Sequence, residues 1–381
     1  MTRGRDASAE NRRKGPGVGG TKFQIRIILV LILIVAGVML WRFIRGAGLM
    51  TPLVDVPADC RPLEAPAGSE DIVIDREAGF AFVSATDRRR VMKGGEEAER
   101  VRGGIHRIDL REPVDRWSPV RVSGSLPERF RPHGIGLFVD AKGVRSLFVV
   151  NHPAGGPDEV VIFDIDGDGG LALRRVVSDP LLTNLNDVQP VGRNAFYATN
   201  DHGNRIGTRL QDLLLLNQAN LVYYDGSAAR VAATGLSYAN GVNISPDGRE
   251  VYVAETIDRA LRIYRRDPAS GDLTLLEILP VDTGVDNIDV EENGDLLIGA
   301  HPRLLDFSKH AVDPEARSPS QVLLVKKRAD GGHSVRTLYL DRGESLSGGA
   351  VAAGYREWML LGPVFESKIL VCRRDGGVAA S

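Results

Sequence analysis

Residues 245–255 read SPDGREVYVAE, in which a turn rich in Pro, Asp and Gly leads into an apolar strand that ends on a polar residue. Five other segments repeat this pattern: 71–86 (DIVIDREAGFAFVSAT), 139–152 (VDAKGVRSLFVVNH), 191–202 (VGRNAFYATNDH), 290–301 (VEENGDLLIGAH) and 351–365 (VAAGYREWMLLGPVF). The six segments end 66, 50, 53, 46 and 64 residues apart, close to the roughly 40–50 residues of a four-stranded propeller blade with insertions. This period predicts an all-β fold, a six-bladed β-propeller.

Apolar runs at 160–163 (VVIF) and 261–264 (LRIY) follow two of these segments and are typical of the next strand of a hairpin. The 43 glycines and 20 prolines among 381 residues favour short strands joined by turns over long helices. A pair of packed sheets with eight strands is the alternative, but it gives no reason for the observed period.

Polar residues recur in a second register. They are Glu70, His133, Asn186–Asp187, Asn240 and Asp286–Asn287, at intervals of 63, 53, 54 and 46. Equivalent inner positions of successive blades converge on the propeller axis, so we expect these side chains to meet in one tunnel. Oxygen donors without a cysteine or multi-histidine cluster favour Ca²⁺ over zinc. Asn-Asp and Asn-Gly are also common turn dipeptides, but five positions in register favour a metal site.

The first 45 residues differ from the rest of the chain. They carry nine Lys/Arg and two acidic residues, which leaves a net charge of −9 (39 basic, 48 acidic) on the other 336 and argues against a nucleic-acid partner. Phe23 to Ile44 is an apolar run long enough to cross a bilayer. Because basic residues precede it, we expect a single-pass anchor with a cytoplasmic N-terminus and a periplasmic or extracellular body. A cleaved signal peptide is the alternative.

These features divide the chain into a basic tail (1–22), a transmembrane anchor (23–45), a linker (46–58) and a propeller domain (59–381). The two cysteines, Cys60 and Cys372, lie at the two ends of the propeller domain. In an oxidising compartment this placement favours one disulfide that closes the ring. Two independent buried thiols are the alternative.

Two familiar motifs are excluded. Asp164–Gly169 (DIDGDG) resembles the start of a helix-loop-helix calcium loop, but its twelfth position is Arg175 where a bidentate Glu is needed. We expect a hairpin turn there. No Gly-x-Ser-x-Gly sequence occurs, which argues against a serine hydrolase of the α/β-hydrolase type.

Several strings together resemble the serum paraoxonase/arylesterase family of six-bladed propellers. They are GSED (68–71), RPHGIGLF (131–138), LFVVNHP (147–153), LNDVQPVG (185–192), FYATNDH (196–202), YANGVNISPDG (238–248), VYVAE (251–255), VDNIDV (285–290) and HP (301–302). The similarity spans about residues 60–373 and includes both cysteines. It implies a calcium-dependent hydrolase of lactones and aryl esters with two calcium ions in the central tunnel.

The resemblance also implies roles for single residues. Those matching the ligands of a catalytic calcium are Glu70, Asn186, Asn240, Asp286 and Asn287, and those matching a structural calcium are Asp71, Asp187 and the carbonyl of Ile135. His133 and His152 match a histidine dyad. The loop after Ser84 is very polar and departs from the family pattern, which carries a tyrosine there.

Water attack on a lactone carbonyl needs a base with a pKa near neutrality, and His133 suits this role, with His152 to orient it or relay its proton. Asp286 is the alternative base. We expect His202 and His301 to be structural neighbours; the remaining histidines, His106, His310 and His333, are expected at the surface. The alternative function is a non-catalytic, calcium-stabilised propeller that serves as a binding module.

Overall fold

The computed structural model describes residues 18–374 except 123, 204–206, 209–210 and 212–215, with side chains described from residue 23. The described strands form six sheets of four antiparallel strands each. The chain is a six-bladed β-propeller, so the predicted all-β fold class is confirmed. The structure separates into two units, residues 1–44 and residues 45–381.

The strands of the first three blades run outwards from the tunnel in chain order. Blade 1 contains β2 (Ser69–Asp75), β3 (Phe80–Ala85), β4 (Gly104–Asp109) and β5 (Val120–Arg121); blade 2 contains β6 (Pro132–Val139), β7 (Arg145–Asn151), β8 (Glu159–Ile165) and β9 (Leu171–Val177); blade 3 contains β10 (Leu185–Pro190), β11 (Phe196–Asn200), β12 (Ala219–Tyr224) and β13 (Ala229–Leu236).

The other three blades follow the same order except at the ring closure. Blade 4 contains β14 (Ala239–Ile244), β15 (Glu250–Glu255), β16 (Ala260–Arg266) and β17 (Leu273–Pro280); blade 5 contains β18 (Gly284–Val290), β19 (Leu296–His301), β20 (Ser320–Lys327) and β21 (His333–Asp341); blade 6 contains β22 (Gly349–Tyr355), β23 (Trp358–Pro363), β24 (Lys368–Arg373) and, as its outer strand, β1 (Asp59–Glu64).

Each repeated sequence segment contains the turn after the innermost strand of its blade and the second strand that follows it. The second strands are mostly apolar because neighbouring blades cover both of their faces; β3 and β19, for example, are buried at every residue. The outer strand β17 is largely exposed. The predicted partner runs at 160–163 and 261–264 lie in β8 and β16, and residues 166–170 form the expected turn between β8 and β9. The core therefore lies between successive blades.

The ring closes in blade 6. Strand β1 pairs with β24, and Cys60 lies directly opposite Cys372. The two residues form a disulfide across a sequence separation of 312 residues. The predicted bond between the ends of the domain is therefore confirmed.

Four described α-helices lie outside the six sheets. Helix α1 (Val18–Gly46) contains a stretch, Phe23–Gly46, that is long and apolar enough to cross a membrane by length and composition, a property that a signal sequence shares. Helices α2 (Arg88–Met92) and α3 (Gly95–Arg100) lie between β3 and β4, and α4 (Leu304–Val312) lies between β19 and β20.

Residues 46–58, expected as a linker, make specific contacts with the propeller. The Leu304 backbone N–H donates to the Ala47 carbonyl at 3.2 Å. The Arg259 guanidinium donates to Thr51 Oγ1 at 2.7 Å, and Val56 forms an isolated bridge with Leu340.

Candidate functional site

The innermost strand of each blade has a break in its pairing register at the same place, near its N-terminal end. The breaks lie between Ser69 and Asp71, Pro132 and Ile135, Leu185 and Val188, Ala239 and Val242, Val285 and Ile288, and Gly349 and Val351. The residues inside them are Glu70, His133–Gly134, Asn186–Asp187, Asn240–Gly241, Asp286–Asn287 and Ala350. The polar register predicted from the sequence coincides with these bulges, and blade 6 alone has an apolar side chain there. A bulge turns side chains out of the usual alternation of a strand.

Hydrogen bonds connect these residues across the tunnel. Asn287 Nδ2 donates to Glu70 Oε1 at 2.9 Å, although the two residues are 217 positions apart. Asp71 Oδ2 accepts the Ile135 backbone N–H at 2.7 Å. Asp187 Oδ2 accepts the Val242 backbone N–H at 2.8 Å. These bonds link blade 5 to blade 1, blade 1 to blade 2 and blade 3 to blade 4 at or beside the register breaks.

Four oxygens of the expected metal ligands are buried and have no hydrogen-bond partner among the described residues. They are Oδ1 of Asn186, Asn240, Asp286 and Asn287. A buried polar atom without a partner costs about 1–3 kcal/mol, so such atoms call for an explanation. A hard cation bound by oxygen atoms would satisfy all four. In the described part of the chain no three His, Cys, Asp or Glu side chains cluster as a metal site, and this is consistent with a donor set in which three of the four unpartnered oxygens belong to amides.

The carboxylates of the site repel one another. Burial raises the pKa of Asp71 well above its usual range, and the charges of Asp187 and Glu70 add to the rise. Burial also raises the pKa of Asp187 to about 7, with contributions from Glu70 and Asp286, and burial raises the pKa of Asp286. A divalent cation would offset this repulsion, so the donor chemistry and the charge both fit calcium.

Glu70 behaves differently. Burial alone would raise the pKa of Glu70, but the charges of His133 and Arg88 and the hydrogen bond from Asn287 outweigh it and lower the pKa to about 2. Arg88, on α2, approaches Glu70 Oε2 at 3.2 Å. The polar loop after Ser84 therefore supplies a cation to the site.

The two histidines of the expected dyad are in contact. His133 Nδ1 lies 2.9 Å from His152 Nε2, and His152 Nδ1 lies 2.8 Å from Asp158 Oδ1. His133 Nε2 points towards Glu70, 3.5 Å from its Oε2. Burial lowers the pKa of His133 against the opposing effect of Glu70, which keeps the imidazole available as a base. Nothing in the sequence pattern singled out Asp158.

His301, expected to be a structural neighbour, directly contacts the expected calcium ligand Asp286. Its Nε2 lies 2.7 Å from Asp286 Oδ2, with both side chains buried. Its ring centroid lies 4.1 Å from that of Phe307 on α4. One Asp286 oxygen is therefore bound by His301, and only the other is available to a cation or a proton.

An apolar wall completes the site on the side of blade 6. Ala350, in the sixth bulge, packs with Val364 and Phe365, and Phe307 and Ala311 of α4 cover them. Val364 therefore lies in an apolar wall beside the bulge of blade 6. Tyr238, which directly precedes the innermost strand of blade 4, makes an edge contact with His202 at 5.1 Å between ring centroids.

The surface assignment of the remaining histidines is wrong at two positions. His106 is 7% exposed and His310 is 1% exposed. His106 lies on β4, on the same face as Ile108, which packs in the core cluster between blades 1 and 6, and His310 lies on the face of α4 that packs against Phe365. His333 is half-buried and pairs with Glu277.

A six-bladed propeller whose tunnel ends in buried carboxylates, amides and a histidine pair belongs to the class of propellers with a central polar site. The chain matches the family model described as Arylesterase over residues 63–373. Human serum paraoxonase/arylesterase 2 is 34% identical over 325 residues, 84% of this chain and 89% of the relative. Human serum paraoxonase/arylesterase 1 is 35% identical over 330 residues, 82% of this chain and 90% of the relative.

Human serum paraoxonase/lactonase 3 is 33% identical over 322 residues, 83% of this chain and 89% of the relative. This chain belongs to the arylesterase family, as its motifs indicated. A solved structure of a luciferin-regenerating enzyme has the same fold, with a TM-score of 0.51 at 11% identity over 84% of this chain and 96% of that one.

Proposed function

We propose that this chain is a calcium-dependent hydrolase of lactones and aryl esters, in which water attacks the ester carbonyl at the tunnel end and His133 is the general base. Membership of the arylesterase family supports an ester or lactone hydrolase. The observation that carries the calcium proposal is the set of four buried, unpartnered oxygens beside the histidine pair.

Two groups of residues would hold two calcium ions. The catalytic ion would be held by Glu70, Asn186, Asn240, Asp286 and Asn287, and the structural ion by Asp71, Asp187 and the Ile135 carbonyl. When bound, the catalytic calcium supplies polarisation of the ester carbonyl and stabilisation of the negative charge that develops on its oxygen. The low pKa of Glu70 keeps this carboxylate charged for that purpose.

The protein's own groups would move the proton and position the substrate. His133 Nε2 accepts a proton from the attacking water, and His152, at 2.9 Å from His133 Nδ1, orients the ring or relays the proton. The apolar wall of Ala350, Val364 and Phe365 would receive the hydrocarbon part of the substrate. Asp286 is the competing base through its second oxygen, since His301 binds the first.

Helix α1 supports a proposal for location. It would anchor the chain as a single-pass membrane protein, with the basic residues 1–22 in the cytoplasm and the propeller in the periplasm or outside the cell. The disulfide is consistent with an oxidising compartment. The full chain should resist alkaline carbonate extraction from membranes, and protease added to right-side-out inner-membrane or plasma-membrane vesicles should reach the propeller; release by carbonate would contradict the anchor.

The purified full chain, assayed with γ- and δ-lactones and phenyl acetate, tests the activity. We expect hydrolysis of at least one class, abolished by Asn240→Ala at the tunnel end and kept by Asn293→Ala, in the exposed turn between β18 and β19 of blade 5. A chain that calcium stabilises but that hydrolyses none of these substrates would contradict the enzyme and support the non-catalytic binding module.

A further inference from the structure

We propose that Asp158 is a positioning residue that sets the tautomers of both histidines, so that His133 presents an unprotonated Nε2 to the tunnel. This inference rests on the proposed function and extends it to a residue outside the polar register. Asp158 lies in the loop between β7 and β8, six positions after His152, and its Oδ1 is 2.8 Å from His152 Nδ1.

The hydrogen-bond pattern allows one arrangement of protons in the neutral pair. An ionised carboxylate only accepts, so His152 Nδ1 must carry the proton that is shared with Asp158. His152 Nε2 is then an acceptor, and His133 Nδ1, at 2.9 Å, must donate to it. His133 Nε2 is left with a lone pair. It is the ring nitrogen that faces the tunnel, 3.5 Å from Glu70 Oε2 and beyond ordinary hydrogen-bond distance.

Asp158 is itself fixed in place. Its second oxygen, Oδ2, accepts the Leu185 backbone N–H at 2.8 Å. Leu185 is the first residue of β10 and directly precedes Asn186. The side chain is 18% exposed, and although burial tends to raise the pKa of Asp158, the hydrogen bond and charge of His152 lower it overall. One carboxylate therefore aligns the dyad with the strand that carries an expected calcium ligand.

An amide cannot replace this carboxylate. Asn at position 158 would have one acceptor and one donor group, so it would either lose the Leu185 bond or place an N–H against His152 Nδ1. The second arrangement favours a proton on His152 Nε2, which turns the pair around and puts the proton of His133 on Nε2. Glu at the same position keeps two acceptor oxygens.

The test compares Asp158→Asn, Asp158→Glu and a control, Glu277→Gln. Glu277 forms the same kind of pair with His333 Nδ1, at 2.9 Å, on the outer strands of blades 4 and 5. We expect Asp158→Asn to lower kcat for a δ-lactone at least about tenfold, a smaller loss than the roughly 10²–10⁴-fold expected on removing the general base itself, with KM, bound calcium and melting temperature little changed. Asp158→Glu should recover most of the loss, and the control should match the wild type. A wild-type kcat in Asp158→Asn, or equal losses in Asn and Glu variants together with lost calcium, would overturn the proposal.

A second measurement does not depend on activity. In ¹⁵N-histidine NMR spectra of the calcium-loaded wild type, we expect protons on Nδ1 of both His133 and His152 and a bare His133 Nε2. A proton on His133 Nε2 in the wild type contradicts the inference. Absence of hydrolysis in the wild type would contradict the proposed function instead, while the tautomers would still be read from the spectra.

Discussion

Glu70 brings together three partners of different chemistry: the amide of Asn287, the guanidinium of Arg88 and the imidazole of His133. Their combined effect keeps its pKa at about 2 despite complete burial. Glu70 is therefore charged near neutral pH, whereas the neighbouring Asp187, whose pKa is raised to about 7, needs a nearby cation to stay fully charged there. The fixed charge of the site thus depends on contacts from two other blades and one loop helix.

At the residue scale, His133→Gln tests whether His133 is the general base. If His133 accepts the proton of the attacking water, this change should lower kcat by roughly 10²–10⁴-fold while calcium content and fold persist. His152→Gln should cost less, because it removes only the orienting partner. The measurement is kcat and KM for a γ- or δ-lactone, with calcium quantified in each variant. A mild effect of His133→Gln together with near-complete loss in Asp286→Asn would assign the base to Asp286.

The sequence predicted which polar residues lie together in the innermost strands, because these residues recur at similar intervals along the chain. It did not predict Asp158 or the role of His301, whose partners depend on how a loop and a helix fold back over the tunnel. His106 and His310 were misplaced for a related reason: a single histidine carries no periodic signal that separates a buried face from an exposed one.

At the scale of elements, the β-bulges of the innermost strands place the polar side chains of the candidate site. Each innermost strand keeps its pairing on both sides of the bulge, so the polar side chains leave the sheet without disturbing the blade. The repeat period predicted the strands and hairpins well. It did not predict α2 and α3, because their five and six residues are too few for a helical pattern and depend on contacts such as the Asp87 cap and the Arg88–Glu70 pair.

Replacement of Gly134 tests the close approach of β6 to β10 at the bulge. Gly134 follows His133 in the bulge of β6, and a Cβ there would lie 2.4 Å from Asp187 Oδ1 and 2.5 Å from the Asp187 Cα. Gly134→Ala should therefore push β6 away from β10, weaken calcium binding and lower the free energy of unfolding by about 1–3 kcal/mol. Gly167→Ala is the control, since a Cβ at Gly167 meets nothing within 4 Å. Calcium titration and denaturant unfolding measure both effects, and equal behaviour of the two variants would refute the close approach.

At the scale of the molecule, a propeller is a ring whose first and last strands share one blade. Strand β1 completes blade 6 by pairing with β24, and the Cys60–Cys372 bond makes that junction covalent. The sequence predicted this closure because both cysteines lie at the ends of the repeats. It could not predict that residues 46–58 lie along the propeller, since these contacts use single backbone groups and isolated side chains such as Arg259.

Replacing both cysteines tests the closure. Cys60→Ala with Cys372→Ala should lower the free energy of unfolding by about 2–5 kcal/mol, because the bond closes a loop of more than 300 residues in the unfolded chain. Alanine avoids placing a hydroxyl at the fully buried position 372. Guanidinium unfolding of the oxidised wild type and the double variant measures the difference. An unchanged unfolding midpoint would show that strand pairing alone holds the ring.

The most direct test of the central claim is calcium removal and readdition, followed simultaneously by lactone hydrolysis and melting temperature. The account predicts that a chelator abolishes hydrolysis first and lowers the melting temperature more slowly, because one ion would serve the substrate and the other would stabilise the native state by mass action. Added calcium should restore the rate along a saturating curve. Full hydrolysis in excess chelator, with metal content measured as zero, would contradict the account.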